Sequence, residues 1–119
     1  MISAIVIFIG IMSIKTDPSS NFKNQNFQTR EVTVFGQTDR QIISFSTEDN
    51  IVWTWNTSTH HRQTRGTWEW QDVERRRITV RFPSGERHAD SRSGTWEFTE
   101  SYNGITHQNS GEYYMKIRR

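Results

Sequence analysis

Cysteine is absent from this chain of 119 residues, and its absence excludes several kinds of site at once. Without a thiol there is no disulfide, no thiolate nucleophile, no cysteine-ligated zinc and no lipid on an N-terminal cysteine. Proline occurs only twice, and lysine supplies three of the fifteen basic residues, with arginine the other twelve. Redox chemistry therefore indicates neither the function of the protein nor its compartment.

From residue 31 onward the chain also lacks the three-and-four spacing of apolar residues that marks a helix. Apolar and polar residues alternate instead, as in Ile78, Val80 and Phe82. Turn-forming clusters separate these runs, and Asn103-Gly104 predicts a type I′ hairpin turn, which needs two residues that tolerate positive φ. The pattern predicts an all-β fold, an antiparallel meander of seven or eight strands closing into a small barrel or sandwich.

Aromatic residues are plentiful, with five Trp, seven Phe and three Tyr. A domain of this size needs large side chains to fill its core, because it buries only somewhat over ~60% of its unfolded surface. Shared parity with aliphatic neighbours predicts that Trp53, Trp68, Trp70 and Trp96 are buried. If the aromatic side chains line a void, the candidate ligand contacts are Trp53, Trp55, Trp68, Trp70 and Trp96. The same alternation puts Tyr113, Met115 and Ile117 together on the expected apolar face of the last strand.

A short repeat relates two of these segments. Gly66-Thr67-Trp68-Glu69-Trp70 recurs as Gly94-Thr95-Trp96-Glu97-Phe98, and the glycine predicts a bend or a close backbone approach before each Trp. Together with the hairpin at residues 78–85 and the closing strand at 111–117, this element resembles the small lipocalin-like, calycin-type β-barrel domains of bacterial envelope proteins. The resemblance covers about residues 66–117.

That resemblance implies a barrel that binds a small apolar ligand or a protein and performs no catalysis. The chain departs from the family in two ways. The Gly-x-Trp element usually lies on the family's first strand, whereas here it follows two or three others. The lipobox cysteine that is common among such envelope proteins is missing.

The N-terminal residues 1–14 form an apolar segment, uncharged from Ile2 to Ile14. Thirteen apolar residues are fewer than the ~20 that a spanning helix needs, and they match an export signal or an anchor. No basic residue precedes the segment and no A-x-A-type cleavage site follows it. Its Ile, Val and Phe residues also suit a segment that docks on protein. The prediction is a protein of the cell envelope, membrane-associated through residues 2–14, with protein docking as the alternative.

Residues 15–30 are rich in Asn, Gln and Ser, with Phe22 and Phe27 as their apolar residues. This composition predicts a polar linker. The β-domain then comprises residues 31–119, which we expect to fold without the first thirty residues.

Catalytic and metal-binding motifs are missing. The four histidines have none of the usual ligand spacings, so we expect solvated loop positions for His60, His61, His88 and His107. No G-x-S-x-G motif is present, and the alternation puts Glu69 and Glu97 on the wet face, where they can pair with arginine. The sequence predicts a protein that is not an enzyme and has no cofactor.

Arg75, Arg76 and Arg77 precede the strand that begins near Ile78. Arginines beside exposed rings can bind single-stranded nucleic acid, but the predicted burial of the Trp rings argues against it. Anionic headgroups or an acidic protein explain the same arginines. The predicted function is a binding or interaction module, with an accessory subunit of a membrane assembly as a variant of the same prediction. The alternatives are a nucleic-acid-binding barrel that uses Arg-rich loops and a carrier of a small apolar ligand.

Overall fold

The computed structural model of the chain describes residues 17–30, 32–34, 37–57 and 59–117, so the apolar segment 1–14 lies outside the described residues. A 3₁₀ turn at Pro18–Asn21 comes first, and a one-turn helix, α1, forms at Arg87–Asp90. The strands are β1 (Asn26–Gln28), β2 (Val32–Val34), β3 (Gln37–Phe45), β4 (Asn50–Thr57), β5 (His61–Asp72), β6 (Arg77–Arg81), β7 (Gly94–Phe98), β8 (Gly104–His107) and β9 (Tyr113–Lys116).

Eight antiparallel strands close into a barrel. Neighbouring strands pair in the order β1-β9-β8-β7-β6-β5-β4-β3, and β3 pairs back with β1. Strand β2 pairs with β3 beyond the end of β1, in a register shifted by one residue. The prediction of an all-β antiparallel meander is therefore confirmed, and of its two forms the barrel is the one observed.

The alternation places apolar side chains inside. Trp53, Trp68 and Trp96 are buried as predicted, whereas Trp70 is half-buried. The repeated glycines have different roles. A Cβ on Gly66 would collide with the Arg81 carbonyl and the Phe82 ring, whereas Gly94 has a φ of +120°. Gly66 thus allows a close approach and Gly94 a sharp entry into its strand.

The predicted polar linker is wrong for residues 17–30. Phe22 and Phe27 are 0% exposed, and β1 is the strand that closes the ring between β3 and β9. Asp17 caps the 3₁₀ turn by accepting the Ser19 N–H at 3.0 Å. Two aromatic anchors are enough to fix this polar segment, because each buries a large apolar area.

The predicted type I′ turn at Asn103-Gly104 is also wrong. Positive φ occurs at Tyr102 (61°), while Gly104 is the first residue of β8. A Cβ at Gly104 would collide with the Tyr113 ring and hydroxyl. This glycine provides space for a cross-strand aromatic ring, not a special backbone angle.

Candidate functional site

One end of the barrel is closed by an aromatic floor, formed by Phe22, Phe45, Trp68, Trp70, Phe98 and Tyr102. The Phe22 ring stacks on Phe98 at 4.3 Å between centroids and meets Phe45 edge-on at 4.9 Å. The rings of Trp68 and Trp70 lie 5.1 and 5.7 Å from Phe22. Two of the predicted ligand-contacting Trp residues therefore fill this end.

The floor is fixed at its rim by Asp17. The Trp70 indole N–H donates to the Asp17 carboxylate at 3.1 Å. The Ser19 backbone N–H, opposed by partial burial and helped by Trp70, lowers the pKa of Asp17. Burial raises the pKa of Tyr102, with Arg76 opposing the shift. These groups hold the floor in place, and their contacts account for both pKa shifts.

The opposite end is closed by a polar mouth, formed by Gln41, Trp53, Arg92, Glu112 and Tyr114. The Gln41 side-chain oxygen accepts from the Trp53 indole N–H at 2.9 Å, the Arg92 Nε at 2.8 Å and the Tyr114 hydroxyl at 2.8 Å. The Gln41 amide nitrogen donates to Glu112 Oε2 at 3.1 Å. One glutamine thus joins β3, β4, the segment before β7, and β9.

An ion pair completes this network. Arg92 NH2 lies 3.2 Å from Glu112 Oε2, and the Arg92 guanidinium lies 4.8 Å from the centroid of the Trp53 ring. Burial, with Glu112 adding to it and Arg92 opposing, raises the pKa of Tyr114. Tyr114 therefore stays a neutral donor, and the mouth forms a closed set of matched donors and acceptors.

Trp96 and Trp55 lie near this end in different settings. Trp96 is buried, and its indole N–H donates to the Arg92 carbonyl at 2.8 Å. Trp55 is half-buried; its N–H donates to Asp39 at 2.6 Å and its ring lies 5.7 Å from the His88 ring. Of the predicted Trp residues, the structure brings Trp53 and Trp96 to the mouth through their shared contact with Arg92.

The expectation of four solvated histidines is wrong for His107. His60, His61 and His88 are exposed, but His107 is 0% exposed, 4.9 Å from the Trp96 ring. Its Nε2 donates to the Ser93 carbonyl at 3.1 Å, so its Nδ1 is the acceptor for the Ser110 hydroxyl at 2.7 Å. Both nitrogens have partners, which explains how the polar ring is tolerated in the core.

Arg75, Arg76 and Arg77 each contact a different partner. Arg75 Nε lies 3.8 Å from Asp72 and Arg77 Nε lies 2.8 Å from Glu97. Arg76 has a φ of 58° and donates to the Phe98 carbonyl at 3.2 Å. Each predicted arginine has its own structural partner. The described part of the chain contains no group of three potential metal-ligating side chains.

Sequence reasoning missed the outer face of β9. Tyr113 and Met115 were expected inside, but they are 45% and 60% exposed, and Tyr114 is the buried residue. The parity inverts because Tyr114 and Glu112 join the polar mouth. A signal was present: two tyrosines in succession leave the face of the strand ambiguous.

This exposed face borders a groove that we call the β9 groove. It encloses about 630 Å³ and is lined by Gln28, Thr29, Arg30, Tyr113, Met115, Lys116 and Ile117. Among the described residues, its lining combines apolar side chains of β9 and Ile117 with two cations and includes no carboxylate. Such a surface suits a partner that is both apolar and anionic.

Within the described ranges, no helix is long and apolar enough to span a bilayer. Comparison of the chain with protein-family models, with curated proteins and with solved structures finds no match.

Proposed function

We propose that the protein is a non-catalytic binding module that holds its partner on the outside of the barrel, at the β9 groove. The observation that carries this proposal is the distribution of exposed apolar side chains. Those that are large and exposed in the described part of the chain are Val73, Tyr113 and Met115, and two of the three lie side by side on β9. Clustered apolar exposure is typical of an interaction surface.

The filled interior favours the outer surface over internal carriage of a small ligand. Fifteen apolar side chains of the described residues are buried in one cluster. The aromatic floor closes one end and the polar mouth the other. A ligand inside the barrel would have to displace rings or break the Gln41 network, at a cost that an outer groove avoids.

Three titratable groups with shifted pKa values have structural roles. The pKa values of Asp17, Tyr102 and Tyr114 are shifted, and each shift follows from burial or from a structural contact. A catalytic acid or base is usually tuned toward neutral pH. The pKa values of these three groups are all shifted away from neutral pH.

Nucleic acid binding stays as the alternative function. The contacts of Arg75, Arg76 and Arg77 with the barrel itself, and the burial of the Trp rings, weigh against it. For the cellular setting we propose export or tethering through residues 2–14, with membership of a membrane assembly as a variant. That part of the proposal rests on the composition of the segment, and the lipocalin-like resemblance likewise stays a prediction.

The apolar anion 8-anilinonaphthalene-1-sulfonate is a suitable probe for the groove. We expect it to shift the ¹³C-methyl resonance of Met115 in the full chain, a signal assigned by its loss in Met115→Leu. Replacing the other exposed apolar residue, as in Val73→Ser, should leave this shift unchanged. If the indole N–H signals of Trp53 and Trp96 move while the Met115 methyl does not, the ligand is carried inside and the proposal is wrong.

A further inference from the structure

The ladder between β1 and β9 is incomplete. β9 pairs with β8 over three residues, Tyr113, Tyr114 and Met115, but with β1 only through Phe27↔Lys116 and Gln28↔Met115. One side of β9 therefore loses its neighbour toward Tyr113. The β9 groove opens at this place.

The backbone hydrogen bonds of β9 show which of its N–H and C=O groups face the incomplete side. The Lys116 N–H donates to the Asn103 carbonyl on the β8 side, and the Ile117 N–H donates to the Asn26 carbonyl on the β1 side. Backbone groups alternate sides along a strand, so Tyr113 and Met115 also face β1. Met115 is paired with Gln28, but the β1 ladder ends before Tyr113. The N–H and C=O of Tyr113 thus point into the groove and have no strand partner among the described residues.

The side chains around this open position have a consistent chemistry. Tyr113, Met115 and Ile117 provide apolar surface, and Arg30 is an exposed cation at the rim. Lys116 adds a second cation, with its Nζ donating to the Asn21 carbonyl at 3.0 Å. Because the described lining of the groove has two cations and no acid, it complements carboxylates.

We propose that the β9 groove binds an extended peptide segment of a partner protein, bearing apolar and acidic side chains, as an added strand hydrogen-bonded to Tyr113. This inference rests on the proposed function and names its partner. An extended peptide completes an open sheet edge through main-chain hydrogen bonds, while its side chains give specificity. A concave groove beside an open ladder fits a single chain better than it fits the flat surface of a bilayer.

Fluorescein-labelled heptapeptides of alternating glutamate and valine test this inference on the full chain. We expect the acidic peptide to bind at least tenfold more tightly than its lysine counterpart, with Arg30→Glu reducing or reversing that ratio. In an extended peptide the N–H groups of odd and even residues point to opposite edges. Two peptides, one N-methylated at the odd residues and one at the even residues, therefore block one edge each. We expect one of these two N-methylated peptides to bind at least tenfold more weakly than the unmodified peptide and the other to bind about equally well.

Three outcomes would overturn the inference. The first is equal or absent binding of the acidic and basic peptides, and the second is equal binding of the two N-methylated peptides. The third is concentration-dependent dimerisation of the full chain that Met115→Lys abolishes, because the groove would then join two copies. The anilinonaphthalene shift at Met115 can persist in the first two cases, so failure of strand addition is distinguishable from failure of the binding module. Arg30→Glu is an exposed substitution, and an unchanged thermal melt checks its fold.

Discussion

The two ends of this barrel are closed by opposite chemistry. The aromatic floor surrounds Phe22 with ring contacts at centroid distances of 4.3 to 6.1 Å. The polar mouth is organised by Gln41, whose single oxygen accepts three donors. Apolar closure depends on buried area, about 25 cal/mol per Å², and tolerates imperfect fit. Polar closure depends on matching, because a net hydrogen bond contributes about 1 kcal/mol and an unmatched buried group costs about 1 to 3 kcal/mol.

The floor and the mouth also differ in where their central residues lie in the sequence. Phe22 comes from the segment before β1 and reaches the whole floor from one position. The mouth takes Gln41 from β3, Arg92 from the segment after α1, and Glu112 and Tyr114 from around β9. We therefore expect the floor to fail when one segment is removed, and the mouth to weaken in smaller steps.

Removing residues 1–30 is the change with the largest expected effect. It deletes Phe22, Phe27 and β1, and each buried Phe alone contributes about 3 to 5 kcal/mol. Their sum is comparable with the whole stability of a small domain, about 5 to 15 kcal/mol. We expect residues 31–119 to lack a cooperative melt by circular dichroism, contrary to the expectation from composition. Residues 17–119 are the matched control and should melt cooperatively, and a cooperative β-type melt of 31–119 would show that β1 is dispensable.

Truncating Phe22 in the full chain is a finer test of the floor. Phe22→Ala should lower the free energy of unfolding by about 3 to 5 kcal/mol, whereas Phe22→Leu keeps most of the apolar area and should cost much less. Urea denaturation measures both. Equal losses for the two variants would mean that ring stacking with Phe98, not buried area, closes the floor.

Alternation was a good guide where the interior is apolar. It placed Trp53, Trp68 and Trp96 inside, and those side chains are buried. It failed where the interior is polar. Tyr114 is buried with its hydroxyl bonded to Gln41, 73 residues away, and His107 is buried between Ser93 and Ser110, which lie 14 and 3 residues away. The identity of those partners depends on the tertiary fold, and local periodicity does not contain it.

The linker and the groove were missed for related reasons. Average polarity over residues 15–30 hid two aromatic anchors, and Phe22 owes its position to ring contacts with residues up to eighty positions away. The β9 groove exists because the pairing between β1 and β9 ends after two residue pairs, and the length of that pairing cannot be read from the sequence of either strand. The Trp residues were ligand candidates only if they line a void, and the structure uses Trp53, Trp68 and Trp96 as core, in line with their parity.

Gln41→Leu tests the mouth directly. The substitution keeps the size of the side chain but removes the acceptor for Trp53, Arg92 and Tyr114. We expect a loss of about 2 to 3 kcal/mol in the free energy of unfolding, reduced from the full sum because the Arg92 and Glu112 side chains keep some contact with water. Gln63→Leu, at an exposed position on β5, should change it by less than about 0.5 kcal/mol. A similar loss in both variants would mean that the network contributes nothing specific.

Tyr114 gives the mouth an alkaline pH dependence. Its folded-state pKa is raised above the ordinary value of 10.0, so the folded chain keeps the proton that the unfolded chain releases. The stability from this group is complete below pH 10 and is lost as the pH rises above it. We expect Tyr114→Phe to be less stable by about 1 kcal/mol at pH 8 and to destabilise less steeply above pH 10. Parallel slopes for the two proteins in alkaline urea melts would contradict the assignment.

Asp17 gives the floor a weaker, acidic counterpart. The Ser19 N–H and the Trp70 indole hold the pKa of this carboxyl below its ordinary value of 3.8, so its ionised form is favoured by folding. The stability from this group is present above pH 3.8 and is lost as the pH falls through the folded-state pKa. Because Asp17 is exposed, screening by solvent keeps the contribution below about 1 kcal/mol. We therefore expect Asp17→Asn to lower the melting temperature slightly at pH 6 and to lower it less at pH 2.5. Glu48→Gln, at an exposed loop carboxyl, is the matched control. An equal effect of the two variants at pH 6 would mean that Asp17 does not stabilise the aromatic floor specifically.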